Sequence, residues 1–173
     1  MSFLSGIRHL FSKDKSFVRA LRNLLGFTPR NLSLYHLAFK HRSTAEEHPS
    51  GIKMSNERLE YLGDAVLGAI IAEHLFKRFP FREEGFLTEM RSRLVNREQL
   101  NKLAVKIGVD RFMQNSIDPG AKNRSAYGDA FEALIGAVYL DQGYNVTRQL
   151  VLNRIFRHHI DVDVVEQTDS NFK

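Results

Sequence analysis

Apolar residues recur at helical spacing along almost the whole chain, and the strict alternation of half-buried strands is nearly absent. The pattern predicts helices over about 15–25, 31–39, 56–78, 85–95, 97–107, 125–141 and 146–159, with ends set to within a few residues. The interruptions between them are made of residues that break helices: Thr28-Pro29, the polar run from Glu46 to Ser55 with Pro49 and Gly51, Phe79-Pro80, Gly108, and Asn115 to Asn123 with Pro119-Gly120. No stretch reads as a linker between two folded domains. The expected fold class is all-α.

Two of these helical patterns are strongly apolar and yet carry acids in register. In NERLEYLGDAV, the positions of Glu57, Glu60 and Asp64 fall within roughly 60° of one another around a helix, so three carboxylates share one face. In SAYGDAFEALIGAVYLD, Asp129 and Glu132 stand at i and i+3, again on one face, while Phe131, Leu134, Ile135, Val138 and Tyr139 supply apolar surface elsewhere. Gly-Asp-Ala occurs in both, at Gly63-Asp64-Ala65 and Gly128-Asp129-Ala130, which is too short to be a repeat. A glycine inside a helix costs about 1 kcal/mol relative to alanine, and close approach of two helices is the usual compensation.

Packed with those segments adjacent, Glu60, Asp64, Asp129 and Glu132 would converge. Like charges a few ångströms apart raise one another's pKa, and a divalent cation relieves the repulsion. With oxygen donors only and no histidine at ligand spacing, the ion would be hard: Mg²⁺, or Mn²⁺ as a substitute. The matching chemistry is phosphoryl transfer, in which metal-activated water needs no protein nucleophile. Spacing alone leaves a second reading open, because carboxylates at i, i+3 and i+7 are most often a solvated helix face.

Composition narrows the class further. At 173 residues the chain is long enough for one domain burying about 70% of its unfolded surface without a staple. It has no cysteine, which excludes disulfides and thiolate metal sites and suits a reducing compartment, so a cytoplasmic location is expected. The net charge of +5 is uneven: Met1 to Arg42 holds eight Lys/Arg against Asp14 alone, +7 in all, leaving −2 on the rest. Such a basic flank points to a polyanionic partner. Charges interrupt every candidate signal core near the N-terminus, no run reaches the length of a membrane span, and no membrane partner is expected.

NERLEYLGDAVL and YGDAFEALIGAVYLD closely resemble the two acidic signature segments of bacterial ribonuclease III, in its endonuclease domain. The similarity continues through LAFKHRS at Leu37 to Ser43 and FPFREEGFLTEMRSRLVNREQLNKLA at Phe79 to Ala104, and covers roughly Phe17 to Ile160. It implies an all-helical fold, a two-fold homodimer and Mg²⁺-dependent hydrolysis of double-stranded RNA to 5′-phosphate and 3′-hydroxyl ends, in RNA processing or decay. Residue by residue, it carries the metal-binding and catalytic roles onto Glu60, Asp64, Asp129 and Glu132, with Asp64 and Glu132 as the most direct ligands. Glu57 and Glu84 match acids that assist at the site or the dimer interface.

The sequence departs from the family pattern in three places. Tyr61 stands where the family usually has a Phe that inserts into the partner subunit, Gly128 replaces a more usual alanine, and the loop from Gln114 to Ser125 is shorter than many. Within that loop, Lys122 and Arg124 fit either phosphate contacts or solvated charges. Residues 1–160 are read as the catalytic domain with its basic N-terminal segment. Residues 161–173 resemble the linker toward a double-stranded-RNA-binding domain, and a truncated chain is the expected explanation. His36, His41, His158 and His159 are assigned no chemistry, and Phe3, Phe11, Phe17 and Phe27 are read as packing rather than base-stacking residues.

Two other functions compete. A non-catalytic RNA-binding or dimerisation module on the same fold would be marked by loss of a metal carboxylate, which the sequence does not show. A nucleotide phosphohydrolase would generally carry paired His-Asp ligands, which its helices lack.

Overall fold

The apolar pattern of residues 126–142 has no solvent-facing side wide enough to leave exposed, and the structure places that segment at the centre. It is a computed structural model that describes residues 15–113 and 126–159. Here α1 is residues 15–25, α2 Leu32–Ala38, α3 Glu57–Arg78, α4 Glu84–Leu94, α5 Arg97–Ile107 and α6 Ala126–Gln142. The last, α7 (Tyr144–Gln149), runs on through a π-helical stretch, Leu150–Phe156, into a final turn, Arg157–His159. Short 3₁₀ turns lie at Arg42–Thr44 and Val109–Phe112. Among the described residues no strand forms; a single isolated bridge joins Glu47 to Lys53.

The buried side chains of α6, including Phe131, Leu134, Ile135 and Val138, are wrapped by α3, α5, α2 and α7. Facing them are Leu67, Ile70, Ile71 and Leu75 of α3, Leu100 and Leu103 of α5, and Tyr35 of α2, all in one continuous core. Full burial of each such side chain stabilises the fold by roughly 1.5–3 kcal/mol before the ordering entropy is subtracted.

Helices α3 and α6 pass in opposite directions at a contact made by two glycines. A Cβ on Gly63 would sit 1.7 Å from the Glu132 carbonyl oxygen, and one on Gly136 would sit 2.3 Å from that of Leu59. The cost of these glycines in a helix is therefore offset by backbone-to-backbone packing. The partner of Gly63 is not the second Gly-Asp-Ala, as the sequence echo implies. It lies two turns further on, while Gly128 faces α5, where a Cβ would meet Asn101 at an ordinary 3.4 Å.

Helix ends follow local chemistry. Asn31 and Asn96 cap α2 and α5 with side-chain oxygens that accept from Ser33 and Gln99 backbone N–H groups. Gly108, at φ +89°, closes α5 in a left-handed turn. Asp141 at the end of α6 accepts from the backbone N–H groups of Arg30 and Asn31 at 3.0 and 2.8 Å and from the Tyr35 hydroxyl at 2.8 Å, tying α6 to the start of α2. Arg154 in the π stretch caps the other end of the chain, donating to the Leu24 and Asn23 carbonyls at the C-terminus of α1. Phe17 packs, as expected, against His36 in a stacked pair with centroids 4.1 Å apart. Phe27 also packs against the core, whereas Phe3 and Phe11 lie outside the described residues.

Candidate metal centre

The acids of α3 and α6 meet because the glycine crossing holds their backbones together. Glu60, one turn into α3, lies opposite Asp129 and Glu132 in the first half of α6. Oxygens of these three carboxylates lie within 4.8 Å of one another. They open into a cavity of about 450 Å³ whose α3 wall also includes Glu57, Tyr61 and Asp64. The third wall is α5, which contributes Arg97 and Leu100.

Asp64 lines this cavity and adds repulsion at Glu132, yet its carboxylate stands outside the three-residue group. The resemblance ranks Asp64 with Glu132 as the most direct pair; the grouping found among the described residues is Glu60, Asp129 and Glu132. Glu57 sits at the rim and is paired, accepting from Arg42 at 2.7 Å and from the Ser55 hydroxyl at 3.1 Å. The Arg42 hydrogen bond is the main reason its carboxyl is held below the usual range. Glu84 lies away from the cavity in the first turn of α4, where it accepts from the Thr88 hydroxyl at 2.7 Å. Tyr61 is 82% exposed, with its ring on the outer edge of α3. Lys122 and Arg124 lie outside the described residues. Among the described residues no histidine lines the cavity; His41 instead accepts from the Ser43 backbone N–H, and His158 and His159 border a separate groove beside α1.

Burial and crowding leave their mark on the acids. Burial is the largest cause pushing Glu132 up to about 8, followed by the charges of Asp64, Glu60 and Asp129; Arg97 opposes the shift. Glu60 is raised for the same reasons, burial first and then Asp129. The site thus holds more negative charge than its own surroundings can balance.

A hard divalent cation fits this donor set. Among the described residues the grouped donors are all carboxylate oxygens, the hard ligands such an ion takes, and they already lie within 4.8 Å of one another. Two residues of the site escape the sequence reading. Asn101, on the same face of α5 as Arg97, accepts the Gly128 backbone N–H at 2.8 Å and so steadies the turn that carries Asp129. No sequence pattern marks it. Arg97 does leave a trace: it occupies the first turn of a helix, where the macrodipole disfavours cations.

Comparison with known proteins converges on one family. A model described as Ribonuclease-III-like matches residues 31–159, the span from α2 to the end of the described chain. Ribonuclease 3 of Bacteroides thetaiotaomicron is 46% identical over 167 residues, covering 96% of this chain and 54% of that protein. Ribonuclease 3 of Zunongwangia profunda is 41% identical, covering 94% and 67% respectively. This chain therefore spans about half to two thirds of the length of these relatives. Among solved structures, the nuclease domain of ribonuclease III from Campylobacter jejuni superposes with a TM-score of 0.70 at 30% identity, covering 82% of this chain and 98% of that one. That domain has a region involved in dimer formation.

Proposed function

The chain belongs to the ribonuclease-III-like family, and from that premise we propose that it is an endoribonuclease hydrolysing phosphodiester bonds in double-stranded RNA to 5′-phosphate and 3′-hydroxyl ends. The observation that carries this reading is the convergence of Glu60, Asp129 and Glu132 within 4.8 Å of one another, in a cavity where burial and the neighbouring carboxylates push Glu132 up to about 8. The family implies a divalent metal; Mg²⁺, with Mn²⁺ as substitute, is the ion we assign.

Glu60, Asp129 and Glu132 would hold the ion, and Asp64, exposed on the same cavity wall, would complete the set. When bound, such a cation would polarise the phosphate and lower the pKa of water. The protein's own work is positional. The glycine crossing fixes the two carboxylate-bearing backbones, and Asn101 holds the Gly128 N–H so that Asp129 keeps its place. Arg42 neutralises Glu57, so that acid adds less repulsion at the rim.

Recognition is of duplex shape. A-form RNA presents 2′-hydroxyls and phosphates across a wide, shallow minor groove, and sequence reading is correspondingly weak. Two copies related by a two-fold axis, with Tyr61 at their interface and Glu84 facing it, would cut both strands and leave a short 3′ overhang. Residues 1–160 form the catalytic unit in this reading, with 161–173 as a linker, and RNA maturation and decay in the cytoplasm as the setting. Among the described residues, no helix is long and apolar enough to cross a membrane.

The deciding experiment is cleavage of a labelled RNA duplex in Mg²⁺, with Glu132→Gln, EDTA and single-stranded RNA as comparisons. Duplex-specific cutting by the wild type, lost in the variant and in EDTA, is the expected result. Binding of duplex without cutting at any Mg²⁺ concentration would instead make the chain an RNA-binding module on the same fold.

A further inference from the structure

Arg97 is the only basic side chain lining the acidic cavity among the described residues. It projects from the first helical position of α5, directly after the Asn96 cap, where the partial positive charge of the helix end makes a cation unfavourable. Its charge is felt by both Glu60 and Glu132, and among the described residues it forms no ion pair within 4.0 Å. It is exposed, so its guanidinium is free to turn toward a ligand. An arginine in this position is explained neither by helix propensity nor by a fixed structural bridge.

We propose that Arg97 is a partner-switching counter-charge: it offsets the carboxylates while the cavity holds no metal, and contacts a backbone phosphate of the RNA duplex when substrate arrives. The inference rests on the nuclease reading above. A guanidinium suits both tasks, since its planar fork matches carboxylate and phosphate oxygens alike. Metal and Arg97 compete for the same negative charge. Phosphate then gives the displaced guanidinium a new acceptor, so substrate and metal favour each other's binding through this residue.

The competition gives a test with opposite signs. Mg²⁺ is titrated calorimetrically into the full, metal-free chain, and duplex binding is measured separately in a Glu132→Gln background, where cutting is blocked. Arg97→Gln should bind Mg²⁺ about three- to tenfold more tightly, and in the second assay bind duplex about three- to tenfold more weakly, the scale of one nearby charge in partly solvated surroundings. Arg97→Lys should leave Mg²⁺ affinity near the wild-type value and recover part of the duplex affinity. Unchanged or weaker Mg²⁺ binding by Arg97→Gln, or unchanged duplex binding, would overturn the proposal while leaving the nuclease reading intact. A wild-type chain that neither binds nor cuts duplex would overturn both.

Discussion

Glu132 concentrates the chemistry of the site in one titration. Its folded-state pKa of about 8 stands above the ordinary 4.5, so between those values the native metal-free protein binds a proton that the unfolded chain has lost. Stability therefore falls as pH rises through that window, and the loss is complete above it. With water reaching the cavity, the full effect is on the order of 2 kcal/mol. Without metal, Glu132→Gln should melt several degrees above the wild type at pH 8.5 and close to it at pH 4.5, as followed by circular dichroism. A variant that melts lower at pH 8.5 would mean the carboxylate stabilises the fold. The same proton must leave when a cation binds, so Mg²⁺ affinity should climb from pH 6 to 8, with approaching one proton released per ion in calorimetry across buffers of different ionisation enthalpy. The acids themselves were legible from their spacing, because helical periodicity places them on one face. Arg97 and Asn101 were not: their roles depend on α5 lying against the start of α6, a long-range contact that no local pattern encodes.

At the scale of elements, the crossing of α3 and α6 separates glycines that look alike in the sequence. Gly63→Ala would drive a methyl group into the Glu132 carbonyl, and no flexible side chain can yield there. The expected loss is about 3 kcal/mol or more, seen as a large fall in denaturation midpoint. Gly128→Ala meets only ordinary contact with Asn101, and the gain in helix propensity should leave it neutral or up to about 1 kcal/mol more stable. Equal destabilisation by both would show that the crossing is not the constraint. Helix positions emerged clearly from the apolar pattern, to within two residues for most elements. The register between helices did not, and the Gly-Asp-Ala echo pointed to the wrong partner for Gly63. The two 3₁₀ turns and the π stretch were also invisible, the first because three or four residues span only about one period of the pattern, the second because its residues read equally well as α-helix.

For the molecule as a whole, the unpaired surface around the site matters more than total charge. A tyrosine ring 82% exposed at the rim of an acidic cavity is the surface we assign to the two-fold contact. Sedimentation should therefore give a dimer that Tyr61→Glu converts to monomer without a change in helical content; a wild-type monomer at tens of micromolar would remove that assignment. Duplex binding should weaken steeply with added salt, since phosphate contacts release counterions. The fold class was readable from the start because almost every segment shares the helical period. Assembly was legible only through the family resemblance, because an interface between copies leaves no periodic mark distinct from the core.

The carbonyl that blocks a side chain at position 63 belongs to Glu132, the same residue whose carboxylate reaches into the cavity. The helix crossing and the candidate metal centre thus share one residue, through its carbonyl and its carboxylate, and the two have different freedoms to drift. A descendant of this chain could empty the acidic cavity by exchanging carboxylates for amides while keeping both crossing glycines, and would retain the scaffold. The reverse path is steeper, since a lineage that lost the glycines would give up a large share of its stability before it could reshape the cavity.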